Sequence, residues 1–229
     1  FRWFLKWAAE QYLIESRTVN DGRPVIKKID RPVIWLEMGE LARLMGLELA
    51  AGSLLDRARD IFCLQCFTGL RYSDVMALLK SSVKSGHIEV TTIKTGTVLR
   101  IELNRHSRAI LNKYSRTPGE KAMPQLDSST LNKYIKAVAS MAGINDPVTI
   151  TQYYGSERRS VTRPKHEFLS SHAGRRTFIC NALALGISPV VVMKWTGHTE
   201  YASMKPYIDV ADSTKSRAMT LFDAIDSDY

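Results

Sequence analysis

The sequence predicts an α+β fold: mainly α with a small antiparallel β-sheet. Three observations carry that expectation. Apolar residues recur at helical spacing through most of the chain. The period changes to alternation between His87 and Glu102, around Lys94-Thr95-Gly96, which is a hairpin signal. The chain has 229 residues, 45% hydrophobic and 24% charged. That is enough to bury a core without disulfides or metals, and it excludes wholesale disorder.

Residues 1–16 read as a helix, with Phe1, Phe4, Leu5, Ala8, Ala9, Tyr12 and Leu13 forming a wide aromatic face. Residues 17–34 hold Asn20-Asp21-Gly22, Pro24, Pro32 and several cations, which is linker chemistry. A boundary is expected there, dividing the chain into 1–30 and 31–229. Glu37–Leu49 and Leu54–Phe67 read as helices, the second capped at Gly52-Ser53 and ended by Thr68-Gly69. Ser73 is the expected cap of a short third helix. After the hairpin, Ser107–Tyr114 and Ser129–Ala142 return to helix. Val148–Glu167 mixes β-branched and aromatic residues with Arg158, Arg159, Arg163 and Lys165, and reads as a second hairpin or an extended arm. Ser171 starts a helix that ends at Gly186. Ser188-Pro189 starts another, with proline at the first helical position, and it stops before Gly197. The segment 201–226 is expected to break at Pro206 and to be helical beyond it.

Thirty-two Lys and Arg against 23 Asp and Glu leave a net charge of +9. That excess favours a polyanionic partner, nucleic acid first among them. Cys63, Cys66 and Cys180 are too few for a secreted disulfide framework, so a cytoplasmic setting is expected. The Cys63-x-x-Cys66 pair lacks two further zinc ligands and reads as two small side chains of a buried helix. No run reaches the ~18 apolar residues of a membrane span. The opening FRWFLKWAAE carries Arg2 and Lys6 and no signal-peptide cleavage pattern. A chain beginning with Phe is expected to be a fragment whose N-terminal part is missing. Nucleotide hydrolysis has no Gly-rich phosphate loop to support it. The acidic residues are scattered, where a two-metal nuclease needs them clustered.

The chemistry-bearing residues are cationic. His172 and Arg175, three apart on a helix, point at one spot, where a guanidinium fork and an imidazole can hold phosphate oxygens. A solvated basic face would carry the same pair. Arg71 falls in a helix–helix corner, Lys94 at a hairpin tip, and His198 at an exposed turn after Gly197. Tyr207 follows His198 by nine positions.

This ordered set resembles the catalytic signature of the tyrosine recombinases, the phage-integrase family. The flanking strings CFTGLRYSDV, TTIKTGTVLRIEL, SSHAGRRTF and MKWTGHTEYASMKPYI resemble the family too, most of all integrases of bacterial conjugative transposons and prophages. The resemblance covers about Trp35 to Phe222, and 1–30 is similar to the end of a core-binding domain and its linker.

It implies a tyrosine-recombinase catalytic-domain fold and a phosphoryl transfer on double-stranded DNA. Tyr207 would attack the scissile phosphate, giving a 3′-phosphotyrosyl link and a free 5′-hydroxyl. Arg71 and Arg175 would neutralise the transition state, and Lys94 would protonate the leaving oxygen. His172 would accept the tyrosine proton, and His198 would bond a phosphate oxygen. Asp74 would orient Arg71 as a structural residue. The phosphotyrosyl link retains the bond energy, so neither ATP nor a metal nor any other cofactor is implied. Family members act as tetramers on DNA, so this chain is expected to be a homotetramer there, with a monomer possible without DNA. An apolar stripe in 210–229 (Ala218, Met219, Leu221, Phe222, Ile225) could dock on a neighbour or fold back. Location in the bacterial cytoplasm, on the nucleoid, would follow. Two other readings stay open: type IB topoisomerase-like DNA relaxation and a catalytically silent DNA-binding module.

Overall fold

The structure, a computed structural model, describes residues 2–15, 32–154 and 157–208. The chain divides into two compact units, 1–31 and 32–229. In the first, α1 (Arg2–Glu10) is shorter than the apolar periodicity suggested. Tyr12 takes a left-handed φ of 56°, and the Leu13 N–H returns to the Ala8 carbonyl at 2.9 Å, which closes the helix. The expected linker lies largely outside the described residues.

The second unit is built around α2 (Met38–Met45) and α3 (Leu54–Thr68). Ser53 Oγ accepts the Asp56 N–H at 3.2 Å, and Gly69, at a φ of 70°, ends α3. Both ends were legible from the cap residues. Ten of the 15 residues of α3 are buried, from Asp56 to Thr68, so it is the central helix and not a surface one. Around it pack α2, α4 (Tyr72–Ala77), α5 (Arg105–Tyr114), α6 (Ser128–Met141) and α7 (Ser171–Ala184). Gly174 sets how closely α7 approaches: a Cβ there would lie 2.8 Å from Gln65 Cβ and 3.3 Å from the Phe62 ring. Thr177 and Asn181 of α7 also hold the extended segment before α2. Thr177 Oγ1 accepts the Leu36 N–H and Asn181 Nδ2 donates to the Leu36 carbonyl, each at 2.9 Å.

Arg71, not Ser73, occupies the cap position of α4; Ser73 lies inside its first turn. The α2 helix stops at Met45, short of the expected Leu49, where Gly46 follows. A buried charge network joins α3 to α5. Lys113 Nζ donates to Asp56 (2.7 Å) and Asp60 (2.6 Å), the Tyr114 hydroxyl to Asp60 (2.8 Å), and Arg59 reaches both carboxylates. Burial raises the Asp56 carboxyl pKa, but the Lys113 and Gly52 hydrogen bonds and the Lys113 and Arg59 charges outweigh it and hold it below the ordinary value.

Two antiparallel ribbons complete the unit. In the first, β1 (His87–Thr91) pairs with β2 (Val98–Glu102), and Ile88, Val90, Leu99 and Ile101 face the core. The second pairs β3 (Pro147–Tyr154) with β4 (Glu157–Pro164), so the 148–167 segment is a hairpin that passes into a 3-10 turn at Lys165–Phe168. Thr149 with Thr162, and Thr151 with Ser160, share hydroxyl hydrogen bonds across it. Lys165, one of its four cations, is taken up internally by Glu40 at 2.6 Å.

After α8 (Pro189–Thr196), a 3-10 turn at Tyr201–Ser203 leads into α9 (Lys205–Ile208). Pro206 lies in the first turn of α9, where its missing N–H leaves no hydrogen bond unmade. It therefore starts the helix and does not break it. Ile179, Ala182, Leu183, Val192 and Met204 form a second apolar cluster, and Tyr207 and Ile208 pack against it. The expected helical tail and the 210–229 stripe lie outside the described residues.

Gly174→Ala is expected to reduce stability by about 1–3 kcal/mol, because a methyl must enter the closest α3–α7 contact. Urea unfolding measures it, and an unchanged midpoint would contradict the close approach.

Candidate active site

Four segments converge at the start of α7: the α3–α4 corner, the tip of the first ribbon, the opening turns of α7, and the end of α8. Arg175 is the fixed point. It is 3% exposed. Its Nη1 donates to the Gly69 carbonyl at 2.8 Å and its Nη2 to the Thr196 carbonyl at 2.6 Å, and Nη2 lies 3.3 Å from His198 Nε2. Residue 69 has to be glycine. Its φ is left-handed, and a Cβ would lie 2.6 Å from the Phe178 ring and 2.9 Å from the Thr196 methyl. Burial and the charge of Arg71 pull the Arg175 pKa down to about 10, still cationic at neutral pH.

Arg71 sits at the cap of α4, half-buried. Its Nη1 is buried without a hydrogen-bond partner, 3.9 Å from an Asp74 Oδ2 that also lacks one. That separation is too long for a hydrogen bond, so a donor is left waiting. The other Asp74 oxygen accepts the Ile93 N–H at 3.0 Å, which ties the ribbon tip to α4. Lys94 follows at once, exposed, with its charge bearing on His172.

His172 stands on the open side of α7. Partial burial and the charges of Arg176, Arg175, Arg71 and Lys94 hold its pKa below the ordinary value. His198 is half-buried, not on an exposed turn as the sequence suggested. Gly197, at a φ of 68° and packed 3.2 Å (as a Cβ) from Leu99, folds the chain back so that the imidazole lies over Thr196. Burial, then Arg175, Arg71 and His172, push the His198 pKa down to about 4. Tyr207 on α9 is half-buried and close enough for its charge state to bear on Arg175.

All six sequence-predicted site residues thus fall in one charge-coupled cluster. Among the described residues, Asp74 is the one carboxylate whose charge bears on Arg175. A cluster with two guanidiniums, two imidazoles, a lysine and, among the described residues, so little negative charge is suited to an anion. The rejected candidates lie elsewhere. Cys63 and Cys66 are buried within α3, and burial, then the Asp60 charge, pushes the Cys63 thiol up to about 12. Four contributors are not legible in the sequence: the Gly69 carbonyl, the Thr196 carbonyl, the Thr196 hydroxyl, and the Asp74 bond to the ribbon. Backbone carbonyls leave no side-chain signal. A threonine two residues before His198 was the only trace available.

The depressed histidines set a pH dependence. With folded pKa values below the unfolded 6.5, the unfolded chain binds more protons as pH falls. Their contribution to stability is full above about 6.5 and is lost as pH falls, toward about 4 for His198. NMR titration is expected to find His198 neutral at neutral pH; titration near its ordinary value would contradict the crowding of cations around it.

The profile of the phage integrase family matches residues 35–214. No curated protein matches the sequence. Solved structures share the fold at low identity. The XerH site-specific recombinase bound to palindromic difH substrate, a post-cleavage complex, is 15% identical with a TM-score of 0.58, covering 83% of this chain and 54% of that one. A lambda integrase (75–356) dimer bound to a COC′ core site is 18% identical with a TM-score of 0.62, covering 89% and 68%. XerA recombinase is 17% identical with a TM-score of 0.57, covering 98% and 74%. The chain therefore spans about half the length of the XerH chain. Carrying the family profile over most of its length, in a tyrosine recombinase catalytic-domain fold, the chain belongs to the phage integrase family.

Proposed function

We propose that the chain is the catalytic part of a site-specific recombinase that cleaves and rejoins duplex DNA through Tyr207. The single observation that carries this is the unpartnered Arg71 Nη1 facing a cluster in which Arg175 is held rigid by two carbonyls. A phosphate placed between the two guanidiniums supplies the missing acceptor and the missing negative charge.

Tyr207 Oη attacks the phosphorus, and the bond to the 5′-oxygen of the next nucleotide breaks. Lys94 gives that oxygen its proton, and a 3′-phosphotyrosyl link remains. Attack by a second 5′-hydroxyl reverses the step and joins new strands. A free tyrosine titrates near about 10, so its proton needs an acceptor as the attack begins, and His172, kept neutral by its neighbours, is suited to take it. The two arginines stabilise charge on the non-bridging oxygens. They fill the place that metal ions hold in other phosphoryl transfers, so no cofactor enters the reaction. The DNA-bound recombinases among the structural neighbours support duplex DNA as partner, and the lambda integrase tetramer on a Holliday junction supports a tetramer as the working assembly. Residues 1–30 are assigned to the end of a preceding DNA-gripping domain.

Tyr207→Phe is expected to bind DNA normally and to form no covalent adduct on suicide substrates; an adduct surviving the change would remove Tyr207 from its role. Arg71→Ala and Arg175→Ala should each slow cleavage by roughly 10²–10³-fold. EDTA should leave the rate untouched, and an EDTA-sensitive activity would point to a metal nuclease. Relaxation of a plasmid lacking any target site would favour a topoisomerase.

A further inference from the structure

Thr196 Oγ1 lies 2.6 Å from the Val192 carbonyl oxygen and 2.7 Å from His198 Nδ1. A carbonyl can only accept, and two oxygens at that distance require a proton between them. The hydroxyl has one proton, so it is committed to Val192. Thr196 is fully buried, and so is Val192, which leaves solvent no part in the exchange. His198 Nδ1 must therefore be the donor, and its proton lies on Nδ1. In the neutral ring Nε2 then carries a lone pair, and that atom faces the Arg175 Nη2 donor at 3.3 Å. The three contacts agree on a single tautomer.

We propose that Thr196 is a positioning residue: its hydroxyl fixes His198 in the Nδ1–H tautomer, so that Nε2 meets the site as an acceptor and can donate to a phosphate oxygen only after taking up a proton. The second half of this statement rests on the proposed function. The resting site gives that lone pair to Arg175. An arriving phosphate displaces it, and His198 joins as an imidazolium or not at all. The groups that oppose this charge are Arg175 and His172 on α7 and Arg71 at the start of α4, with Lys94 beyond them acting on His172. The phosphate itself would favour it, and Asp74 on α4 acts through Arg175. Tyr207 on α9 acts through Arg175. Leu99, under Gly197, is apolar and neutral in this balance. Phosphate binding and proton uptake are thereby coupled at one imidazole, through a side chain that never touches DNA.

The test compares wild type, Thr196→Val and Thr196→Ser. Valine keeps the shape and the backbone carbonyl that holds Arg175; serine keeps the hydroxyl. The first readout is the His198 ring nitrogen shifts by ¹⁵N NMR on the protein without DNA, which needs no activity. Wild type and Thr196→Ser are expected to give the Nδ1–H pattern, and Thr196→Val to move toward Nε2–H. An Nε2–H pattern in wild type, or an unchanged pattern in Thr196→Val, overturns the proposal. Should valine prevent folding, the wild-type and serine spectra still decide it. The second readout is the rate of covalent adduct formation on a suicide substrate as pH rises through neutrality. The ratio of Thr196→Val to wild type should grow, by up to about tenfold per pH unit, because only wild type must bind a proton. A flat ratio overturns the coupling. Absence of adduct from every protein, with the ¹⁵N pattern as expected, would instead remove the recombinase reading and leave the tautomer assignment standing.

Discussion

The buried guanidinium of Arg175 is the constraint around which the catalytic unit is organised. A charge that is 3% exposed is tolerable only if its donors are met. Two are met by backbone carbonyls, from Gly69 and Thr196. Those carbonyls end two different helices, α3 and α8, and both helices terminate in a left-handed glycine that turns the chain toward α7. Satisfying one side chain thus fixes where three helices meet. The contact demands more of the sequence around it. Gly69 admits no Cβ beside Phe178 and Thr196, and Gly174 admits none beside Gln65. The glycines bring the backbones close enough for Arg175 to reach.

The second constraint is charge. Carbonyls satisfy hydrogen bonds but contribute only part of a counter-charge, so the positive potential survives. Burial and that potential together lower the Arg175 pKa to about 10, the His198 pKa to about 4, and the His172 pKa below its ordinary value. Asp74 pairs with Arg71 only at 3.9 Å, too long for a hydrogen bond, and its other oxygen accepts the Ile93 N–H. That bond anchors the ribbon carrying Lys94. One carboxylate therefore anchors the ribbon tip beside Lys94 while leaving Arg71 Nη1 without a hydrogen bond. A site in this state gains most when an anion arrives, which is the condition for binding a phosphate tightly in its transition state.

Much of this was legible in the sequence, and the limits have physical causes. Cap and stop residues located α3, α7 and α8 within a residue or two, because Ser53, Gly69, Pro189 and Gly197 act locally. The six candidate residues were recognisable as an ordered set, and the chain folds them into one cluster. The errors came where tertiary contacts override local signals. Ser73 looked like a cap, but α4 begins one residue after Arg71. Pro206 looked like a break, but a first-turn proline is compatible with a helix start. His198 looked exposed because a glycine precedes it, yet that same glycine folds it inward. The net charge of +9 favoured a polyanionic partner. Part of it is paired within the fold: Lys165 is held by Glu40, and Lys113 by two aspartates.

The central claim is that Arg71 and Arg175 form an anion well for one scissile phosphate. A crystal structure of the protein bound to DNA carrying its attachment site tests this most directly. The account predicts a phosphate whose non-bridging oxygens lie within hydrogen-bonding distance of both guanidiniums, with Arg71 Nη1 no longer unpaired and Tyr207 Oη opposite the leaving 5′-oxygen. A DNA phosphate backbone that bypasses this cluster, with Arg71 Nη1 still unpartnered, would contradict it.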